Sequence, residues 1–180
     1  PYVPFECTPD EIINHVKVRK SPKYLSHMTG IVLRDFQEEV IENYQNNRFN
    51  LVINSRQTGM TQMLSLEALH FILSNSDKSV AIYSNKIDSA TEILDKIKSL
   101  YLRLPYYIKP GVKRWNQKCV QFDNGCIIRC HASRFPAIGY NVDFLILDNF
   151  SHFHKPGIFA SSIFPVITSL KYSKISISST

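Results

Sequence analysis

Two short stretches of this chain combine residue types and spacing suited to phosphate chemistry. The first is Asn54-Ser-Arg-Gln-Thr-Gly-Met-Thr61, set between the apolar run Leu51-Val-Ile53 and a segment whose Leu64, Leu66, Leu69, Ile72 and Leu73 mark a helix over 61–74. In a strand–loop–helix of pattern G-x-x-x-x-G-K-[ST], backbone N–H groups and the helix N-terminus cradle phosphate oxygens. The Lys neutralises those oxygens and the hydroxyl holds magnesium. Gly59 and Thr61 fit that pattern, whereas Asn54 stands at the first Gly and Met60 at the Lys. A thioether offers phosphate no charge. Arg56, inside the loop, brings a planar fork of donors that is always charged. On spacing alone an ordinary strand-to-helix turn would look the same.

The second stretch is Asp143-Phe-Leu-Ile-Leu-Asp-Asn149. A very apolar strand ending in an acid, here Asp148, is how the magnesium-side carboxylate of a phosphate-loop ATPase is presented. A second acid usually follows to orient the attacking water, and this chain has Asn149 there. An amide can hydrogen-bond water but cannot take its proton near neutral pH. Any buried strand can end in Asp. The signal comes from finding it about ninety residues after the loop, in the right order of elements.

The elements that must position these residues follow from hydrophobic spacing. Pro9 to Val18 reads as a short helix with Thr8 or Asp10 as cap. Leu33 to Asn47 is an amphipathic helix through Phe36, Val40, Ile41 and Tyr44, and Asn50 to Asn54 reads as a buried strand. Ser79 to Ser84 is a strand and Asp88 to Leu104 a long helix stopped by Pro105. Val112 to Trp115, Cys119 to Phe122 and Cys126 to His131 read as short strands of a hairpin or meander. Phe144 to Asp148 is a central strand, Ile158 to Leu170 a helix interrupted by Pro165, and Lys174 to Ser179 a last strand. Alternating strands and helices predict an α/β fold, a mainly parallel sheet flanked by helices with an antiparallel hairpin insert.

The 180 residues carry 21 Lys and Arg against 15 Asp and Glu, a net charge of +6 that suits a polyanionic partner without requiring one. Lys17 to Lys23, and Lys109 with Lys113, Arg114 and Lys118, form modest basic clusters, neither dense enough to read as a nucleic-acid site. No apolar run reaches the ~18 residues of a membrane-spanning helix, and no charged-then-apolar leader follows Pro1. The absent initiator Met and the strand-like ending predict a fragment of something longer. Asn124-Gly125 reads as a two-residue hairpin turn that sets Cys119 opposite Cys130. Cys126 and Cys130 then lie about 13 Å apart along one strand, too far to share a tetrahedral zinc. The four cysteines therefore read as reduced structural thiols.

With these residues in place, the chain resembles the ATPase domain of bacteriophage large terminases, the DNA-packaging motor subunits, in their T-even-like branch. Leu33-Arg-Asp-Phe-Gln37 is similar to the adenine-side segment ending in Gln, and residues 54–61 resemble the S-R-Q-x-G-K-T phosphate loop. Asp77 to Ser84, Leu104-Pro105, Lys109-Pro-Gly111, Trp115-Asn116 and Leu145 to Asp148 follow in the family's order. Ser178-Ser-Thr180 resembles its hydroxyl-rich coupling motif. The resemblance implies a P-loop NTPase fold of the ASCE, RecA-like type, with ATP and Mg²⁺ as cofactors. Gln37 would read adenine. Ser55, Arg56, Gln57, Thr58, Gly59, Met60 and Thr61 would line the phosphates. Thr61 and Asp148 would hold magnesium, and Ser179 and Thr180 would couple hydrolysis to movement. It implies residues 1–30 as an N-terminal extension and 31–180 as the ATPase domain, the family's nuclease domain being absent from this chain. Its implied partners are double-stranded DNA, portal protein, small terminase and further copies in a ring on the capsid. The setting would be the host cytoplasm, at the procapsid and away from membranes.

Three departures qualify that picture. Met60 replaces the loop Lys, Asn149 replaces the catalytic Glu, and Ala137-Ile-Gly-Tyr140 stands where relatives have an Arg-Gly pair. A lost general base costs ~10²–10⁴ in rate. The resulting expectation is a motor domain that binds ATP and magnesium weakly and hydrolyses slowly or not at all. The alternative is a catalytically silent terminase-like domain serving as a DNA-binding or assembly module. A helicase-type ATPase is a weaker third reading, because it would want an acid pair after the central strand.

Overall fold

A computed structural model describes residues 7–133, 141–157, 161–162, 165 and 173–179. Its strands are β1 (Phe49–Ile53), β2 (Ser79–Ser84), β3 (Val112–Trp115), β4 (Cys119–Phe122), β5 (Ile127–Ala132), β6 (Phe144–Leu147) and β7 (Lys174–Ser179). Its α-helices are α1 (Pro9–Lys20), α2 (Pro22–Met28), α3 (Asp35–Asn46), α4 (Met60–Ser74) and α5 (Ile87–Arg103), and Phe150–His152 form a 3₁₀ turn. The strands make one seven-stranded sheet in the order β1-β7-β6-β2-β5-β4-β3. Neighbours from β1 through β5 run parallel. The antiparallel insert is β3–β4, hydrogen-bonded to β5. This is the sheet the alternating pattern predicts.

Side chains of the central strands alternate between two apolar layers, as a period of two demands. Val80, Ile82, Phe144 and Ile146 pack under the helices with Leu64, Leu69, Ile93 and Ile97. Ala81, Tyr83, Leu145, Leu147 and Ile175 face the other way, against Phe153. Helix α4 lies between the sheet, α5 and the N-terminal helices, which explains why even its Ser65, Glu67 and His70 are buried. Thr8 caps α1 in a capping box with Glu11. Ser21 then ends α1 and caps α2 through Tyr24 N–H. That second helix was not anticipated, although Ser21-Pro22 is a helix-start signal.

Two expectations are corrected. Residues 50–54 were read as a buried strand, yet Leu51 and Ile53 are 63% and 78% exposed. The reason is topological: β7 inserts between β1 and β6, which leaves β1 at the sheet edge with only Asn50 and Val52 turned toward the helices. The β4–β5 turn is one residue longer than read. Cys119 pairs with Arg129, Phe122 N–H donates to the Cys126 carbonyl, and only Gly125 has a positive φ, of 83°. A three-residue loop with glycine in the left-handed position replaces the two-residue turn, so Cys119 does not oppose Cys130. The thiols of Cys126 and Cys130 donate instead to the carbonyls of Asn75 and Ala90. Burial pushes the Cys130 thiol pKa up to about 12. Of the expected helix Ile158 to Leu170, Ser161, Ser162 and Pro165 are helical and the rest lies outside the described residues, as does Ala137-Ile-Gly-Tyr140.

Candidate functional site

In open α/β sheets, crevices form beyond the carboxyl ends of the strands. Here the ends of β1, β2, β6 and β7 and the N-terminal ends of α4 and α5 enclose a hollow of about 690 Å³. Arg56, Gln57, Thr58, Gly59, Met60 and Thr61 form one wall, and Asp148 and Asn149 line the same hollow. The loop and the acid singled out in the sequence therefore share one crevice.

The loop is held open by its own polar groups. Asn54 Nδ2 donates to the Ser55 carbonyl and to Thr58 Oγ1, and Thr58 Oγ1 donates to the Ser55 carbonyl. Asn54 N–H donates to the Ser179 carbonyl on the neighbouring strand. Gln57 and Gly59 take left-handed φ values of 62° and 83°, which turn the chain sharply into α4. A Cβ on Gly59 would come within 2.8 Å of Gln37 Nε2. Among the described residues no side chain caps α4; Gln62 N–H already donates to the Gly59 carbonyl, and the N–H groups of Gly59, Met60 and Thr61 before it are available to an anion. The buried Asn54 Oδ1 also has no partner among the described residues.

Across the hollow, Asp148 is 6% exposed and follows the fully buried β6. Ser178 Oγ donates to its Oδ1 at 3.0 Å and Asn149 Nδ2 to its Oδ2 at 3.0 Å. Burial raises the Asp148 pKa above its ordinary value, while these two hydrogen bonds pull it down in part. Asn149 sits at a φ of 53°, a conformation an Asn tolerates. Its amide nitrogen is committed to Asp148, and its carbonyl oxygen is the group left to receive a water proton in a hydrogen bond.

Other expected residues take different positions. Gln37 is buried outside the hollow's lining. Its Oε1 accepts from Arg34 N–H and its Nε2 donates to the Thr58 carbonyl, so the amide ties α3 to the loop. Ser55 does not line the hollow and acts through its carbonyl. Met60 lines it, but its side chain is 5% exposed and belongs to the core. Ser179 lines it, with Oγ accepting from Ser151 N–H, and Thr180 lies outside the described residues. Sequence reading missed Lys86, Lys96 and His152, which also line the hollow, and named Ser178 in the coupling motif without its contact to Asp148. They come from β7, α5 and the 3₁₀ turn, elements that only the tertiary fold brings to the loop.

The donor set fits a magnesium–nucleotide. Uncapped amides and Arg56 suit phosphate oxygens, and Thr61 with Asp148 suits a hard cation. A family description, the N-terminal part of terminase large subunits of the T4-like-virus type, matches residues 51–180. The chain is also similar in fold to the ATPase domain of the Thermus phage P74-26 large terminase. The TM-score is 0.68 at 18% identity, over 89% of this chain and 69% of that one. The HK97 bacteriophage large terminase gives 0.69 at 13% identity, covering 83% of this chain and 33% of its own. The large terminase of a thermophilic bacteriophage gives 0.60 at 10% identity, over 92% and 38%. A structure of that last protein in complex with ADP is similar as well, with a TM-score of 0.55. This chain thus spans little more than a third of those two longer terminases. At such identities the likeness is one of fold.

Proposed function

The chain belongs to the family of T4-like-virus-type terminase large subunits, matched over its N-terminal part, and from that premise we propose that it is the nucleotide-binding motor domain of a DNA-packaging terminase. The observation that carries this reading is the shared hollow, with Gly59–Thr61 on one wall and Asp148 facing it. The ADP complex of a fold relative supports the same ligand class.

Magnesium, when bound, screens phosphate charge and polarises the transferred phosphoryl group. The chain's own residues do the rest. The α4 amides and Arg56 would grip phosphate oxygens, Thr61 and Asp148 would hold the cation, and Ser178 fixes the Asp148 carboxylate. Gln37 braces the loop through the Thr58 carbonyl. Asn149 orients a water through its carbonyl but takes no proton from it. Nucleotide binding is therefore better supported than rapid hydrolysis, and a slow or silent motor domain is the form this reading takes. Residues 31–180 are the nucleotide-handling unit. The preceding α1 and α2, with Val18 and Leu25 fully buried, brace its helical layer. Duplex DNA, portal protein, small terminase and neighbouring copies are the partners of this reading.

Titration of the purified chain with ATP, with and without magnesium, tests it. Saturable, magnesium-dependent binding with phosphate release far slower than binding is expected. No binding of any nucleotide under either condition would sink it.

A further inference from the structure

We propose that Lys96 and Lys86, both on the α5 side of the hollow, supply to a bound nucleotide's phosphates the positive charge that the loop lacks at Met60. The inference rests on the nucleotide reading above and names which groups carry that site's charge.

Met60 cannot be that source. Its side chain is 5% exposed and sits in the same apolar cluster as Leu64 and Ile93. The loop wall retains one cation, Arg56. Facing it, the hollow is lined by Lys86 at the start of α5 and Lys96 farther along the helix. Helical side chains lean toward the helix N-terminus, which brings the long Lys96 stem back toward the site end of α5. Among the described residues neither Arg56 nor Lys86 has an ion-pair partner. Lys96 pairs only with Glu92, at 3.0 Å, with side chains 41% and 65% exposed. An exposed pair one helical turn apart is a weak tie that an arriving phosphate can displace.

The electrostatics agree with this placement. Lys96 is near enough to Asp148 to favour its charged form, opposing Glu92 on the same helix. Phosphates between the two walls would meet Arg56 and the α4 amides on one side and two lysines on the other. The competing account is that Lys86 and Lys96 are ordinary solvated charges at a helix rim.

The test compares magnesium–ADP and tripolyphosphate binding by calorimetry for the wild-type chain, Lys96→Gln, Lys96→Arg and the double change Lys86→Gln with Lys96→Gln. Loss of a charge-assisted hydrogen bond weakens binding about tenfold or more. We therefore expect about a tenfold loss for Lys96→Gln and a larger loss for the double variant, while Lys96→Arg stays within a few-fold of wild type. Tripolyphosphate should follow ADP, because the lysines read phosphate and not base. Thermal melts should match wild type, since both lysines are solvent-facing. A double variant that binds as tightly as wild type overturns the proposal and leaves the nucleotide reading intact. A wild-type chain that binds neither probe overturns the nucleotide reading itself. Adding Met60→Lys to Lys96→Gln gives a second measurement. Recovery of binding in a folded protein supports relocated charge, and a folded variant that gains nothing argues against it.

Discussion

Asp148 and Glu67 are both carboxylates sealed into this fold, 6% and 1% exposed, and their surroundings hold them in opposite ways. Glu67, midway along α4, has a cation of its own. Lys174 at the start of β7 meets its Oε1 at 2.5 Å, and Gln45 Nε2 donates to the same oxygen. Among the described residues Asp148 has only neutral donors in contact, a serine hydroxyl and an asparagine amide, and it faces a hollow. A buried carboxylate with a built-in cation is part of the architecture. One held in place by neutral donors and left open on one side is the acid that, on the proposed nucleotide reading, would receive its cation from outside. The sheet separates the two roles: Glu67 meets the first residue of β7, while Asp148 meets Ser178 near that strand's far end.

The difference is broken most directly at the architectural acid. Lys174→Met leaves Glu67 buried without its charge partner, and removing one member of a buried pair costs about 3–5 kcal/mol. Urea unfolding should show that loss, with nucleotide affinity little changed if the protein is kept folded at low temperature. A loss under about 1 kcal/mol would mean that Glu67 is no more committed than Asp148.

Asp148→Asn should behave in the reverse sense. It removes a desolvated charge and keeps an acceptor for Ser178, so the unliganded chain should unfold near the wild-type midpoint. The stabilisation by magnesium–ADP should disappear. For wild type that stabilisation is about 2.7 kcal/mol at a ligand concentration 100 times Kd. An Asp148→Asn protein still stabilised to the wild-type extent would show that the acid does not take part in the site. Ser178→Ala has a smaller effect. It deletes one hydrogen bond to Asp148, costs about 1 kcal/mol in the unliganded chain, and should weaken magnesium-dependent binding a few-fold by leaving the carboxylate free to rotate. An unchanged magnesium dependence would assign Ser178 to packing alone.

The two acids were not equally legible in the sequence. Asp148 stands out because four apolar residues precede it and a phosphate-type loop lies about ninety residues upstream, each a pattern readable within its own short stretch. Glu67 looks like an ordinary polar position on a helix. Its burial depends on α4 being covered on several sides, which the spacing of leucines does not reveal. The same limit applies elsewhere. The strands, and the helices α1, α3, α4 and α5, lie within a residue or two of their expected bounds, because periodicity is local, while α2 was missed and most of the helix expected over Ile158 to Leu170 lies outside the described residues. The sheet order is not local: β7 reaches its place beside β1 only in the fold, and the exposure of Leu51 and Ile53 follows from that alone. The one-residue change at Asn124-Gly125 shows how small a difference in turn geometry resets a register. In the site, loop and acid stand out in the sequence, while the contact of Ser178 with Asp148 and the place of Lys86 and Lys96 needed the packing of α5 and β7 to come into view.

The smallest effect probes the architectural side by pH. His70 lies one turn beyond Glu67 on α4, with Nε2 near the Arg19 carbonyl at 3.1 Å and Ser74 Oγ at 3.3 Å. Burial lowers its pKa below the ordinary 6.5; Glu67 opposes that shift and Lys174 adds to it. Above pH 6.5 the imidazole is neutral in both folded and unfolded chains, so it gives stability no pH dependence. As pH falls below 6.5 the unfolded chain takes up a proton that the folded chain refuses. Stability must then decline until the folded pKa is passed, with a slope of at most about 1.4 kcal/mol per pH unit. His70→Gln should flatten that slope between neutral pH and about pH 5 in urea titrations. The Lys174→Met protein should titrate His70 at higher pH than wild type, because a neighbouring positive charge has gone while Glu67 stays. An imidazole resonance that titrates identically in the two proteins would separate His70 from the Glu67–Lys174 pair. It would also remove the claim that this buried cluster acts as one electrostatic unit.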